Sequence, residues 1–337
     1  MKVFRGLHHA TLAPDCALTI GNFDGVHRGH QAMLALLRAE AAQRGVASCV
    51  LTFEPHPRDY FAAAASKPEL APARIGTLRD KLLDLAHCGV DQCIVMPFRP
   101  QLAAQPAQEF ISVILTRGLG ARYVLVGDDF RFGARRAGDY ALLDAAGQHQ
   151  GFDVARMNSY QVHGLRVSSS AVREALASGD MAGAERLLGR PSRMSGHVVH
   201  GRKLGRELGF PTLNLRFAHW KPAASGIFVV RVHGLGEHAL PGVANLGVRP
   251  SLDPRDVNGG RVLLETHCLQ WPAALGRDGG YGKIIRVELL HKLHDERKYD
   301  SLQALERGIA TDRDDASAFF ASLHGQTHRQ ITRDRIL

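Results

Sequence analysis

Gly21 to His30 (GNFDGVHRGH) combine three glycines and two histidines where a strand-like run meets a helix-like one. Gly21, Gly25 and Gly29 let backbone and ligand approach closely. The helix that follows offers N–H groups and the positive end of its dipole, a ready anion site. His27 and His30 are three apart, so they share one face of the first helical turn. Two imidazoles placed there donate hydrogen bonds to triphosphate oxygens and stabilise the charge that develops as the α-phosphate is attacked. A single histidine at such a junction reads as a cap or a core residue. The HxGH pair reads as an ATP site for nucleotidyl transfer, with no covalent nucleophile required.

Three further segments follow strands or open helices. Ser168, Ser169 and Ser170 of SSSAVR suit an N-cap, or, together with the Arg173 guanidinium, a phosphate clamp. TFEPHP (Thr52 to Pro57) and GDDFRFG (Gly127 to Gly133) mix aromatic and polar groups. Phe53, Phe130 and Phe132 are either core residues or surfaces for a flat ring.

A second constellation lies in GHVVHGRKLGRELGFPTLNL (Gly196 to Leu215). Gly201, Gly205 and Gly209 suit a loop that folds over phosphates, and Arg202, Lys203 and Arg206 add positive charge. Thr212 and Asn214, two apart after Pro211, point the same way on an extended chain. Their oxygens are hard, neutral ligands for a Mg²⁺ already chelated by a nucleotide. A Gly-rich hairpin before a Pro-initiated strand accounts for the same residues. Glu265 sits in the strand-like run LLETHCL, as an exposed edge residue or as a base that takes a hydroxyl proton.

These residues need a frame. Up to about residue 188 the sequence alternates short apolar strands (CALTIGNF, VASCVLTF, DQCIVMPF, RYVLVG) with amphipathic helices (HQAMLALLRAEAAQRG, LRDKLLDLAHCG, AQEFISVILTRG). That alternation predicts an α/β, Rossmann-like parallel sheet covered on both faces. Ligands on such sheets bind at the carboxyl ends of the strands, where Gly21 and Gly127 fall. In the first helix Met33, Leu34 and Leu37 share a face, and Gly45 is its stop. Two short helices, SAVREALASG and MAGAERLLG, follow Ser168. Beyond GRPSRMSG come β-rich runs bounded by Gly and Pro, the pattern of a small barrel or sandwich. Helical sequence resumes at SLQALERGIA and DASAFFASLHG. The reading is two domains, 1–188 and 189–337.

A chain of 337 residues with 45% apolar and 22% charged residues has enough core for two globular domains. The net charge of +9 suits anionic partners, but the basic residues are scattered. RNP aromatics and zinc-finger spacing are missing, so nucleic acid is not expected as a partner. The competing reading on charge alone is a basic nucleic-acid-binding protein. Cys16, Cys49, Cys88, Cys93 and Cys268 include no CxxC pair and read as core filler. The N-terminal stretch lacks the apolar run of a signal peptide, and no stretch is long enough to span a membrane. A cytoplasmic, reducing setting is expected; self-association is not readable.

GNFDGVHRGH, TFEPHP, GDDFRFG and VSSSAVR, in this order and spacing, resemble the adenylyltransferase half of prokaryotic bifunctional riboflavin kinase/FAD synthetases. The string GHVVHGRKLGRELGFPTLNL, with GIF, PGVANLGVRPS and LETHCLQW, resembles their riboflavin kinase half. The resemblance implies that riboflavin is phosphorylated by ATP to FMN, and that FMN is adenylylated by a second ATP to FAD and pyrophosphate. By the same resemblance His27 and His30 contact ATP phosphates, and Ser168, Ser169, Ser170 and Arg173 form a second phosphate loop. Asn22, Phe23, Asp24 and Gly25 line the nucleotide pocket. Phe53, Pro55, His56, Pro57, Gly127, Asp129, Phe130, Phe132 and Gly133 belong to the ligand site. In the kinase half, Gly201, Lys203, Gly205, Gly209 and Pro211 frame the nucleotide, Thr212 and Asn214 bind Mg²⁺ with ATP, and Glu265 is the general base. A six-stranded barrel with a C-terminal helix is implied there. The sequence departs from the family at Ser170 and Ser251, each where Thr is usual. It departs also in CLQW, with Gln270 and Trp271, in the added loop PAALGRDGG, and at His294, which stands where Arg is usual. A single-activity FMN adenylyltransferase with a silenced kinase is the alternative that these departures leave open.

Overall fold

The runs CALTI and ARYVLVG have almost no polar face, so they form stable strands only when covered on both sides. The computed structural model describes the chain except residues 163, 202–208, 218–220, 250–260, 277 and 335–337. At 162, 165, 248, 249, 261 and 324–334 only the backbone is described. Strands β1 (Lys2–Arg5), β2 (Cys16–Ile20), β3 (Ala47–Glu54), β4 (Gln92–Pro97), β5 (Ala121–Gly127) and β6 (Asp153–Met157) form one sheet. Its order is β1-β4-β3-β2-β5-β6 and every pairing is parallel. All five residues of β2 are buried. The chain leaves β2 toward β3 on one side and takes up β5 on the other. The crevice for a ligand therefore opens at the carboxyl ends of β2 and β5.

Helix α1 (Arg28–Arg44) joins β2 to β3 and buries Leu34, Leu37 and Ala41. It begins two residues earlier than the sequence reading, because the His27 side chain caps it. Gly45 ends it with φ 66°, the left-handed conformation that glycine adopts without a Cβ clash. The remaining helices of this half are α2 (Pro57–Ala64), α3 (Leu78–His87), α4 (Pro100–Ala103), α5 (Ala107–Glu109) and α6 (Tyr140–Gln150). AQEFISVILTRG, read as one α-helix, becomes α5 followed by a π-helical stretch at Phe110–Gly118, which buries Phe110, Ile111, Ile114 and Leu115. A short hairpin, β7 (Gln161–Val162) with β8 (Leu165–Arg166), leads to α7 (Ser169–Ser178) and α8 (Met181–Leu188). Cys16, Cys49 and Cys93 are fully buried, and burial pushes the Cys93 thiol up to about 12. They are core side chains.

In the second half, β9 (Ser192–Val199), β10 (Leu213–Phe217), β11 (Gly226–His233), β12 (Leu240–Arg249), β13 (Arg261–Cys268) and β14 (Ile284–His294) close into an antiparallel barrel. Its interior is legible along β13, where Val262, Leu264, Thr266 and Cys268 are buried at every second position. SLQALERGIA and DASAFFASLHG, read as two helices, form one, α9 (Leu302–Asp334). The stretch between them, Thr311 to Asp314, has neither Gly nor Pro to stop it. Ala316, Phe319 and Phe320 pack on Val229 and Val243 of the barrel.

The chain separates into two units, Met1–Pro72 with Asp80–Ala171, and Ala73–Arg79 with Val172–Leu337. The strap Ala73–Arg79 belongs to the barrel unit through backbone bonds. Arg74 N–H donates to Lys221 O, and Ala223 N–H donates to Arg74 O, each at 2.9 Å.

Candidate active sites

Between β2 and α1 the backbone turns through the left-handed region three times, at Phe23 (φ 47°), Gly25 (φ 82°) and Val26 (φ 39°). A β-branched residue such as Val26 is rarely found there. The loop persists because its side chains are locked in place. Phe23 is 1% exposed and Val26 fully buried, and the Gln31 amide donates to Val26 O at 2.9 Å. The tight turn delivers His27 to the head of α1, where its Nδ1 accepts from His30 N–H at 3.3 Å. The His27 and His30 rings stack, with centroids 3.7 Å apart and planes 14° apart, and Phe23 packs on His30 from a centroid distance of 4.9 Å. Gly29 fits tightly here: a Cβ would stand 3.3 Å from the His27 ring, so that ring would have to give by a few tenths of an ångström, and 3.5 Å from Val167 O. Burial, then the neighbouring His27 and Lys81, hold the His30 imidazole well below its ordinary value. His30 Nδ1 and Asn22 Oδ1 are buried without a hydrogen-bond partner among the described residues. An anion entering here meets a neutral imidazole that gains by taking a proton.

The histidines face a cavity of about 760 Å³ at the carboxyl ends of β2 and β5, a size suited to a nucleotide-like ligand. Sixteen of the sequence-selected residues line it: Gly21, Asn22, Phe23, His27, Gly29, His30, Phe53, Pro57, Gly127, Asp129, Phe130, Phe132, Gly133 and Ser168, Ser169 and Ser170. Ser168 Oγ caps α7 by accepting from Ala171 N–H at 3.2 Å. Ser169 Oγ donates to Asp24 O at 3.0 Å, tying this turn to the glycine-rich loop. Phe130 and Phe132 stack at 5.4 Å, and Phe53 meets Phe98 edge-on at 5.7 Å. The cavity thus has a histidine and serine end and an aromatic end.

Other selected residues stand outside the cavity lining. Asp24 and Gly25 build the loop behind it, with Asp24 3% exposed. His56 caps α2, accepting at Nδ1 from Arg58 N–H at 3.1 Å, next to Pro55. Arg173 Nε donates to Ala73 O at 2.7 Å. Sequence reasoning missed Arg58, Phe61, Phe98, Arg131, Arg135, Arg136 and Arg166, all of which line the cavity. Arg135 and Arg136 (φ 54° and 58°) are held in the left-handed region, a signal that the sequence alone does not carry. Asp128, also missed, sits below the usual carboxylate range, chiefly through the Ser159 hydroxyl and also through Arg166.

In the barrel unit the register decides the arrangement. Asn214 of β10 pairs with Glu265 of β13, which on its other side pairs with Asn245 of β12. Directly paired residues lie on the same face of a sheet, so the three side chains form one row across three strands. They alternate with Leu215, Leu264 and Leu246, which fill the interior, so the row lies on the outer face. Asn214 is 4% exposed, and its amide N–H donates to Thr212 O at 3.3 Å. A Cβ on Gly201 would come within 2.6–2.7 Å of that amide. His267 Nδ1 bonds Pro211 O at 3.0 Å, and burial above all lowers its pKa. Gly209 turns with φ 84°. Lys203 and Gly205, with Arg202, Arg206 and Ser251, lie outside the described residues. Asn245 was missed by sequence reasoning, although an Asn in an otherwise apolar strand run is a usable signal.

A family model for FAD synthetase matches residues 9–171, and one for riboflavin kinase matches residues 188–320. The bifunctional riboflavin kinase/FMN adenylyltransferase of Escherichia coli (strain K12) is 46% identical over 322 residues, covering 95% of this chain and 98% of that one. The chain belongs to this bifunctional family. The protein of the same name from Pseudomonas fluorescens is 44% identical over 93% of this chain and 96% of its own. A crystal structure described as a macrolide-efflux protein from Streptococcus pneumoniae has the same two-part fold, with a TM-score of 0.71 and 25% identity. That likeness covers 93% of this chain and 97% of that one. Both catalytic domains of the family are therefore present, and the α/β sheet and six-stranded barrel are as the sequence implied. Among the described residues no helix is long and apolar enough to cross a membrane. Two of the family departures have structural roles. Trp271 Nε1 donates to Gly276 O at 2.8 Å and so pins the added loop. His294 Nε2 bonds Asp312 Oδ1 at 2.7 Å, joining β14 to α9. Gln270 is exposed.

Proposed function

We propose that each site performs one step of a two-step synthesis, with residues 189–337 acting first and residues 1–188 second. In the barrel unit the riboflavin 5′-hydroxyl gives its proton to Glu265, and its oxygen attacks the γ-phosphorus of ATP. The bond to the β–γ bridging oxygen breaks, so the products are FMN and ADP. The buried Asn214 Oδ1 beside a carboxylate supports a hard cation here. Thr212 and Asn214 would hold the Mg²⁺ that travels with ATP. When bound, that ion neutralises phosphate charge. Gly201, Lys203, Gly205, Gly209 and Pro211 frame the nucleotide.

In the α/β unit a phosphate oxygen of FMN attacks the α-phosphorus of a second ATP. Pyrophosphate leaves and FAD is formed. His27 and His30 neutralise the charge on the polyphosphate, and Ser168, Ser169 and Ser170 close on it. The aromatic end of the cavity, with Phe53, Phe130 and Phe132, takes the flat rings. Arg173 joins this clamp by its motif, and its Nε donates to Ala73 O. The substrates are riboflavin, FMN and ATP, and the setting is the cytoplasm, where ATP is supplied and buried thiols stay reduced.

The observation that carries the reading is the stacked His27–His30 pair at the head of α1, facing a nucleotide-sized cavity. A coupled assay with riboflavin, ATP and Mg²⁺ tests it. Both FMN and FAD are expected. FAD formed from FMN but never from riboflavin refutes the kinase half, and FMN without FAD refutes the other.

A further inference from the structure

The row Asn214–Glu265–Asn245 has a carboxylate at its centre and an amide on each flank. Both flanking amide oxygens, Asn214 Oδ1 and Asn245 Oδ1, are buried without a hydrogen-bond partner among the described residues. A buried acceptor left unpaired is costly, so a fold that keeps two of them, one on each side of a carboxylate, keeps them for partners that arrive from outside. The Asn214 flank has its use in the nucleotide-bound cation proposed above. The Asn245 flank is left without one.

The surroundings of Asn245 narrow what can reach it. Along β12 the outer-face residues on either side of it are Val243 and Gly247. Val243 is covered by α9 through Ala316. At Gly247 an added Cβ would meet the Glu296 carboxylate at 2.2 Å, so that carboxylate already lies against the strand. A second anion would be repelled there, which favours a neutral donor presented from the Glu265 side. Neighbouring strands lie about 4.8 Å apart. Two adjacent hydroxyls of a polyol span that gap when one is held by Glu265 and the next by Asn245.

We infer that Asn245 is a substrate-binding residue of the kinase site, whose Oδ1 accepts the hydrogen bond of the hydroxyl next to the one that is phosphorylated. This rests on Glu265 being the base. The residue makes the site a reader of a terminal vicinal diol: one hydroxyl loses its proton to Glu265, and its neighbour fixes the chain so that the correct oxygen faces the γ-phosphorus.

The test compares riboflavin with its 4′-deoxy analogue, which lacks only that neighbouring hydroxyl. For the wild-type chain kcat/KM is expected to fall about tenfold on the analogue, and Asn245→Ala is expected to lose about tenfold on riboflavin. Asn245→Ala should treat the two substrates alike within about twofold, because the partner of the missing hydroxyl is gone. FMN adenylylation by the same variant should be unchanged, and a wild-type melting transition of the barrel unit shows that the kinase half is folded. Equal turnover of both substrates by the wild type overturns the proposal without any variant, and so does an equal loss on both substrates in Asn245→Ala. Glu265→Gln separates the two claims. If it still phosphorylates riboflavin, the base assignment fails, whatever the analogue shows.

Discussion

Gly201→Ala perturbs the kinase site by a single methyl group. The added Cβ would stand 2.6 Å from Nδ2, 2.7 Å from Cγ and 2.7 Å from Oδ1 of Asn214. All three distances are well inside van der Waals contact, so either Asn214 or the strand end at Val199 must move. Asn214 is 4% exposed and paired in register with Val199 on one side and Glu265 on the other. It has no solvent to rotate into. Overpacking of this kind costs about 1–3 kcal/mol. In a unit of this size that is a fall of about 2–4 °C in Tm for each kcal/mol. If Asn214 Oδ1 holds the nucleotide's Mg²⁺ as proposed, a displacement of about 1 Å there is expected to lower turnover on the order of a hundredfold. The assay is riboflavin phosphorylation and FMN adenylylation on the same preparation, each at several Mg²⁺ concentrations. Phosphorylation should collapse and require more Mg²⁺, while adenylylation holds within about twofold. Wild-type phosphorylation with wild-type Mg²⁺ dependence would refute the assignment of Asn214.

His30→Ala should lower FMN adenylylation by about 100- to 1,000-fold and leave riboflavin phosphorylation intact. Glu265→Ala should do the reverse; loss of both activities in either folded variant refutes independent sites. His30 is held well below the ordinary histidine value by burial, His27 and Lys81. In the unfolded chain it takes a proton below a pH of about 6.5, so the α/β unit should lose stability as pH falls past that value. A bound polyphosphate favours the imidazolium, so ATP binding near pH 6 should take up a proton. Calorimetry in two buffers of different ionisation heat measures this, and equal heats would contradict it. His294→Ala strips Asp312 of a 2.7 Å partner in a place where the two side chains are only 15% and 11% exposed. The loss should be on the order of 1–3 kcal/mol, read as a lower barrel melting temperature, and an unchanged melt would show that the pair holds nothing.

The parts of the sites that were legible are those whose chemistry is local in sequence. Gly29 and His30 follow His27 so closely that one turn of helix brings them together. The strands of the sheet were legible because residues buried on both faces leave uninterrupted apolar runs, as in CALTI. What was not legible depends on register or on strain. Nothing in LLETHCL or PGVANLG says that Glu265 and Asn245 meet, because strand pairing is set by the whole barrel. The cavity-lining arginines were hidden in the same way, since scattered basic residues look alike until a loop such as Gly133 to Arg136 folds them to one side. His56 and Arg173 show the converse. Their motifs picked them out, but neither residue lines the cavity, and the fold gives their ring and guanidinium nitrogens backbone partners at Arg58 and Ala73.

The strap Ala73–Arg79 has a consequence in time. It is bound to Lys221 and Ala223 by backbone hydrogen bonds, yet roughly 150 residues separate it from them along the chain. At a synthesis rate of about 5–20 residues per second, it leaves the ribosome roughly 7–30 s before its partners exist. Until then the backbone bridge of Arg74 to Pro222 cannot form, while the segments on either side of the strap, up to Pro72 and from Asp80, already belong to the α/β unit. The first unit therefore matures around a segment held in reserve, and the barrel closes on its own six strands before that segment is added to its unit.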